Sequence, residues 1–208
     1  MLKVLFGKVE DVLNSPFNNR TMYSDRLLSM LEKCGAVQGY CHAAGETLLK
    51  VALQREDKLN IAEDANGKPY LEDSSVYFNL SDYGHWVACA VSDGNVGVDV
   101  MVANVKVASV ISRYATEEEM RWIDEGDKQL RSAFLWSVRE SAVKYSGLGI
   151  RAMSSVSVLT ETLSVEENNY SVEVVIDGAR LRSSGFVSDN LCVIVTADLP
   201  QRALFLRL

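Results

Sequence analysis

The sequence predicts an α+β protein built as two similar lobes, each with helices packed on an antiparallel sheet. Two observations point there. The order strand, helices, strands occurs twice along the chain, with a boundary near Ser92 to Asn95, so the lobes are expected at residues 1–94 and 95–208. A length of 208 residues suits one large domain or two small lobes. The composition, 48% hydrophobic and 24% charged with 3 prolines, is that of a globular protein with disorder confined to loops and termini.

The elements follow from the apolar pattern. Residues 2–8 read as a first strand. Met22 to Lys33 carries Leu27, Leu28, Met30 and Leu31 at helical spacing and is closed by Gly35. Tyr40 to Arg55 reads as a longer helix through Ala44, Leu48, Leu49, Ala52 and Leu53. Asn66-Gly67 is a turn, followed by Lys68-Pro69. Val76 to Leu80 and Trp86 to Val91 are strands around Asp82-Tyr83-Gly84, and Val96 to Val102 is another strand containing Asp99. Thr116-Glu117-Glu118-Glu119 is a capping-box start. A helix from Lys128 to Tyr145 buries Leu130, Phe134, Val138 and Ala142, and Gly147 and Gly149 end it. Strands follow at Val156 to Leu159, Tyr170 to Ile176, Leu191 to Ala197 and Ala203 to Leu206.

The bulk properties exclude several function classes. A net charge of −7 argues against nonspecific nucleic-acid binding, which needs a basic surface. The four cysteines, Cys34, Cys41, Cys89 and Cys192, form no C-x-x-C pair and are too sparse for a disulfide framework. Cys34, Cys41 and His42 match no common zinc-finger spacing and lack a fourth ligand. The first apolar run is too short for a signal segment or a membrane span, so the expected location is cytoplasmic, with no membrane partner.

Two stretches carry candidate chemistry. Asp99 sits inside an apolar strand, where a carboxylate is either paired, bound to metal or turned to solvent. Glu140 and Lys144 share one face of a helix with Trp136. They are either a surface ion pair or part of a site that holds a hard divalent cation beside a polyphosphate. Gly147 and Gly149, just beyond, permit close backbone approach to a phosphate. Gly147-Leu148-Gly149-Ile150-Arg151-Ala152 meets the letter of a dinucleotide fingerprint, but it follows a helix instead of a strand. Ser81, Asp82 and His85 crowd one turn without a nucleophile elbow, so no hydrolase triad is read there. His42 and His85 read as structural or exposed.

Three blocks, taken together, resemble the 4′-phosphopantetheinyl transferases of the larger, surfactin-synthetase-activating type. The first is Gly67-Lys68-Pro69 with Phe78-Asn79-Leu80-Ser81-Asp82-Tyr83-Gly84-His85-Trp86-Val87. The second is Gly97-Val98-Asp99-Val100. The third is Trp136-Ser137-Val138-Arg139-Glu140-Ser141-Ala142-Val143-Lys144, then Gly147 and Gly149. They cover residues 67–149 in the family's order. The resemblance implies a pseudo-twofold arrangement of the two lobes with coenzyme A in the cleft between them. It implies transfer of the phosphopantetheine arm to a serine of an acyl or peptidyl carrier protein, by a protein acting as a monomer. Asp99 and Glu140 would ligate Mg²⁺. Glu140 would help deprotonate the attacking serine, and Lys144 would neutralise a pyrophosphate oxygen. Lys68, Pro69, Ser81 and Asp82 fall where the family meets the nucleotide end.

The chain departs from the family's pattern at several positions. Met101 stands where a second acid is common, and a thioether is a poor Mg²⁺ ligand. Asp82 replaces a usual His. Glu46 stands where an Arg toward the 3′-phosphate is common, with Lys50 nearby. Arg139 replaces a usual Lys and keeps its charge. These departures leave two alternatives: a donor lacking the 3′-phosphate, and a relative that binds carrier protein or nucleotide without transfer.

Overall fold

The computed structural model describes residues 2–198 and 202–208. The first part of the chain forms β1 (Leu2–Lys8), α1 (Val9–Leu13), α2 (Asp25–Leu31) and α3 (Ala36–Leu53). Next come β2 (Ile61–Glu63), β3 (Pro69–Leu71), β4 (Tyr77–Tyr83) and β5 (Trp86–Ser92). The second part forms β6 (Val96–Val102), α4 (Val105–Val110), α5 (Glu117–Asp124) and α6 (Lys128–Ser146). It continues through β7 (Ser157–Glu166), β8 (Asn169–Ile176), β9 (Ala179–Ser188), β10 (Leu191–Ala197) and β11 (Ala203–Arg207). Each lobe is thus a leading strand, a helical stretch ending in one long helix, and a set of strands.

Two main sheets result, one ordered β11-β1-β5-β4 and one ordered β6-β10-β9-β8-β7. The sheets are antiparallel as expected but for one pairing. β11 lies parallel to β1, from Leu2 opposite Ala203 to Phe6 opposite Arg207. A parallel neighbour needs a long connection, and here residues 9–202 separate the two strands.

Apolar residues on alternate sides of the strands stack these elements in layers. On one side of the first sheet, Ala44, Leu48 and Leu49 of α3 pack on Leu5, Val87 and Cys89. Its other face presents Val4, Phe6, Ala88 and Ala90 to Val98, Val100, Val193 and Val195 of the second sheet. Beyond that, Leu135, Val138 and Ala142 of α6 pack with Val174, Cys192 and Ile194. Strand parity then decides the site. Because Val96, Val98 and Val100 enter the layer between the sheets, Gly97, Asp99 and Met101 face α6.

The predicted helix at Met22–Lys33 is shorter, Asp25–Leu31, because Ser24 caps it by accepting from Leu27 N at 3.1 Å. Five elements lie where none was predicted: α1, α4, β2, β3 and β9. The first two are of 5 and 6 residues, too short for a helical period to register. β9 is long but turns Leu181, Ser183, Gly185 and Val187 inward, a half-polar set that hides its buried face. A Cβ on Gly185 would run into the side chain of Ile194. Ser183 is satisfied by Thr196 at 2.7 Å. Among the described residues no helix is long and apolar enough to cross a membrane.

Candidate active site between the lobes

Two close approaches build the site. The first is between α6 and β6. A Cβ on Gly97 would overlap the backbone of Ser141, Lys144 and Tyr145, so only glycine lets the helix lie this near the strand. The second is between the sheet edges β4 and β6, which side chains bridge. Asn79 Oδ1 accepts from Val98 N at 2.9 Å, and Ser81 Oγ accepts from Val100 N at 3.3 Å. Residues two apart on a strand point the same way. The Phe78-Asn79-Leu80-Ser81 alternation thus continues a hydrogen-bonded seam from one sheet to the next.

Asp99, Lys144, Ser81 and Glu140 converge at this junction. Lys144 Nζ donates to Asp99 Oδ1 and to Ser81 Oγ, both at 2.8 Å, and Ser81 Oγ donates to Asp99 Oδ1 at 3.0 Å. Lys144 Nζ lies 4.0 Å from Glu140 Oε2. Asp99 is 4% exposed, which removes the solvent-facing reading of that strand position. Glu140 and Lys144 keep side-chain exposures of 19% and 27%, so this part of the cluster opens outward. Burial pushes the Glu140 carboxyl above its usual range and neighbouring Asp99 adds to this, while Lys144 pulls it back.

The donor set fits a hard divalent cation. Asp99 Oδ1 is occupied by Lys144 and Ser81, but Asp99 Oδ2 is buried with no hydrogen-bond partner. A buried carboxylate oxygen without a partner, on a group that also raises the pKa of a second carboxyl nearby, is a costly arrangement without a cation. Mg²⁺ takes one or two protein carboxylates and completes its shell with water and phosphate oxygens. Met101 adds nothing to that shell, being packed in the core under α6. Among the described residues there is no cluster of three or more His, Cys, Asp or Glu.

Several residues singled out in the sequence have other partners. Lys68 Nζ donates to Asn95 Oδ1 at 2.6 Å and to the carbonyls of Val96 and Tyr145, each at 3.1 Å. It ties the turn before β3 to the start of β6 and the end of α6, and burial lowers its pKa to about 8. Arg139 is fully buried on the far side of α6 and donates to Glu119 and to the carbonyls of Met153 and Val156. It does not join the cleft. Glu46, 3% exposed, accepts from Ser24 N at 2.8 Å and Ser24 Oγ at 2.5 Å. Lys50 donates to Met22 O at 2.5 Å. Both belong to the anchoring of α2, not to an anion site.

Pro69, Ser81 and Asp82 line one cavity of about 180 Å³ together with Arg26, His42 and Asn79. It opens beside the Asp99–Lys144 cluster through the shared Ser81. Arg26, His42 and Asn79 carried no signal in the sequence as site residues; only the two-residue spacing of Asn79 and Ser81 could have revealed one of them. Larger cavities, such as the one of about 420 Å³ beside Tyr23 and Tyr40, lie away from the paired carboxylates.

Two carboxylates and a lysine gathered at this junction are the groups that a metal-bound polyphosphate requires. Comparison with known proteins narrows the reading. The family model of the 4′-phosphopantetheinyl transferase superfamily matches residues 95–193, which span β6 to β10 and contain Asp99, Glu140 and Lys144. The 4′-phosphopantetheinyl transferase gsp of Aneurinibacillus migulanus is 24% identical over 161 residues, 72% of this chain and 68% of the relative. The transferase Sfp of Bacillus subtilis is 26% identical over 115 residues, 51% of each chain. The transferase psf-1 of Bacillus pumilus is 32% identical over 91 residues, 42% of this chain and 39% of the relative. The chain thus spans about two thirds of the first of these relatives and about half or less of the other two. The second half of the chain thus matches the 4′-phosphopantetheinyl transferase superfamily, and its similarity to these enzymes supports a divergent member of the larger, surfactin-synthetase-activating type.

Proposed function

We propose that the protein transfers the 4′-phosphopantetheine arm of a coenzyme A-type donor to a serine of an acyl or peptidyl carrier protein. The observation that carries this reading is the junction of β4, β6 and α6. There Lys144 joins Asp99, Ser81 and Glu140, and Asp99 keeps one buried oxygen without a partner.

Asp99 and Glu140 are the residues that would hold Mg²⁺. The ion would supply Lewis-acid neutralisation of the pyrophosphate charge that develops on bond cleavage. Lys144, fixed by Asp99 and Ser81, places an ammonium against a pyrophosphate oxygen. Glu140, whose carboxyl is already raised by its surroundings, accepts the proton of the incoming serine hydroxyl. The nucleophile belongs to the carrier, so no Ser or Cys of this chain has to act as one. Pro69, Ser81 and Asp82 border the cavity in which the nucleotide end of the donor would lie. Lys68 supports that wall by holding the β6 start and the α6 end together. All these groups come from one chain, which supports action as a monomer.

The test is a mass shift of one phosphopantetheine on an apo carrier protein incubated with the enzyme, a donor and Mg²⁺. The shift should vanish with a chelator and in Glu140→Gln. Carrier protein that stays unmodified with every donor, while still binding the enzyme, would replace this reading with that of a non-catalytic relative.

A further inference from the structure

The cavity beside the catalytic cluster has an unusual charge balance. Its lining carries two basic side chains, Arg26 and His42, and one acid, Asp82. Arg26 Nε is bonded to Glu63 Oε1 at 2.7 Å. Burial pushes the His42 imidazole below its usual value, so it is uncharged at neutral pH, with Asp82 opposing that shift and Arg26 adding to it. The lining itself holds one positive charge, Arg26, against one negative one, Asp82, and Arg26 is engaged from outside the lining by Glu63. Lys50, Lys68 and Lys144 are not among the lining residues, and the Lys144 ammonium is paired with Asp99. Lys68 is committed to Asn95, Val96 and Tyr145, and Lys50 to Met22. A phosphate monoester, near −2 at neutral pH, would meet a lining with no net positive charge here, and the Asp82 carboxylate opposes it.

We infer that the site favours a donor without a 3′-phosphate, the 3′-dephospho form of coenzyme A, over coenzyme A itself. The inference rests on the transferase reading and names the donor class within it. The reaction balances in the same way for either donor. The carrier serine oxygen bonds to the phosphorus bearing the pantetheine, and the bond from that phosphorus to the bridging oxygen of the pyrophosphate breaks. The serine proton passes to Glu140. The leaving group is adenosine 5′-monophosphate from the dephospho donor and adenosine 3′,5′-bisphosphate from coenzyme A. The ribose hydroxyl that replaces the phosphate carries no charge, and Asp82 or the His42 imidazole can hydrogen-bond it.

Steady-state transfer to one apo carrier protein, with each donor in turn and Mg²⁺ present, decides the matter. The expected result is a kcat/KM for the dephospho donor above that for coenzyme A. An equal or higher kcat/KM for coenzyme A overturns the inference. Asp82→Asn, at an exposed strand position, should move the ratio toward coenzyme A by about fivefold, the order expected for removing one charge near a dianion at high effective dielectric. An unchanged ratio, or one that moves the other way, overturns the charge argument. If neither donor is used, the transferase reading fails, and direct titration with the two leaving nucleotides still judges the cavity. Tighter binding of adenosine 5′-monophosphate than of the 3′,5′-bisphosphate sustains the preference; equal or tighter binding of the bisphosphate, or binding of neither, ends it.

Discussion

Helices α3 and α6 each carry a glutamate followed four residues later by a lysine, and the two pairs have opposite fates. In α3, Glu46 and Lys50 are 3% and 1% exposed, bonded to Ser24 and to the Met22 carbonyl. In α6, Glu140 and Lys144 reach the opening between the lobes and meet an aspartate from β6. The spacing is the same; what differs is the neighbour. Around α3 the neighbour is a loop and a short helix that need their polar groups satisfied. Around α6 it is a strand edge that supplies a further carboxylate and leaves one oxygen unpaired. An i, i+4 acid–base pair therefore marks a shared face and nothing more, and its chemistry is set by what packs against that face.

The strongest way to break this comparison is to neutralise each glutamate in turn. Glu140→Gln should lower carrier-protein modification by about 10²–10⁴-fold, the range for a positioned general base that is also a metal ligand, with little change in the melting temperature. Glu46→Gln should do the reverse. Activity per folded molecule stays within a few fold, while stability falls by about 1–3 kcal/mol as the charge-assisted bonds to Ser24 weaken. Parallel measurement of transfer rate and denaturant midpoint for both variants separates the two roles. A loss of activity in Glu46→Gln at unchanged stability would bring α3 back into the site.

The approach of α6 to β6 gives the next largest effect. Gly97→Ala places a methyl group against helix backbone, which cannot rotate out of the way as a side chain can. A loss of about 3 kcal/mol is expected, the upper range for overpacking, together with a drop in transfer as Lys144 and Asp99 are pushed apart. Gly185→Ala serves as the contrast, because its clash is with the flexible end of Ile194. It should cost less, and should leave transfer unaffected. Chemical denaturation of both variants checks the order.

Much of this was legible in the sequence, and the illegible part has a common cause. The long helices, the capping box at Thr116 and the strand around Asp99 follow from periodicity and local hydrogen bonding, which depend on near neighbours. β9 was hidden because Ser183 and Gly185 fill inward positions where an apolar run was sought. The residues whose role changed are those satisfied at long range. Glu119 was read as a cap, and it is one: its Oε2 accepts from Thr116 N at 2.6 Å. Yet it also accepts from Val158 N at 3.1 Å and pairs with Arg139, across 39 and 20 residues. Arg139, adjacent to Glu140 in sequence, was read only as keeping the charge of a usual Lys, and its buried carboxylate partner was not legible. One step along a helix turns a side chain about 100° away from its neighbour. Glu119→Ala would leave the Arg139 guanidinium buried without its carboxylate, at a cost of about 3–5 kcal/mol, measurable by urea unfolding.

Lys68 offers the smallest effect, and it distinguishes a clamp from a phosphate ligand. Its folded pKa, about 8, lies below its ordinary 10.5 because burial disfavours the ammonium. Between these values the unfolded chain binds more protons than the folded one. Stability from this group therefore rises with pH across the window, and the penalty is fully present below pH 8. Asp64 nearby opposes the shift. Tyr145, whose hydroxyl is pushed up to about 12 by burial and by Asp198, acts in the opposite sense above pH 10, so the comparison belongs between pH 8 and 10. Lys68→Met removes the titrating group while keeping most of its volume. The stability difference between the parent protein and this variant should move in favour of the parent by on the order of 1 kcal/mol across that range, discounted for partial exposure. Urea midpoints at three pH values measure it. A flat difference, combined with a raised KM for the donor in Lys68→Met, would mean that the ammonium leaves its three acceptors to meet the nucleotide. The seam between Asn95 and the end of α6 would then be a binding surface and not only a joint.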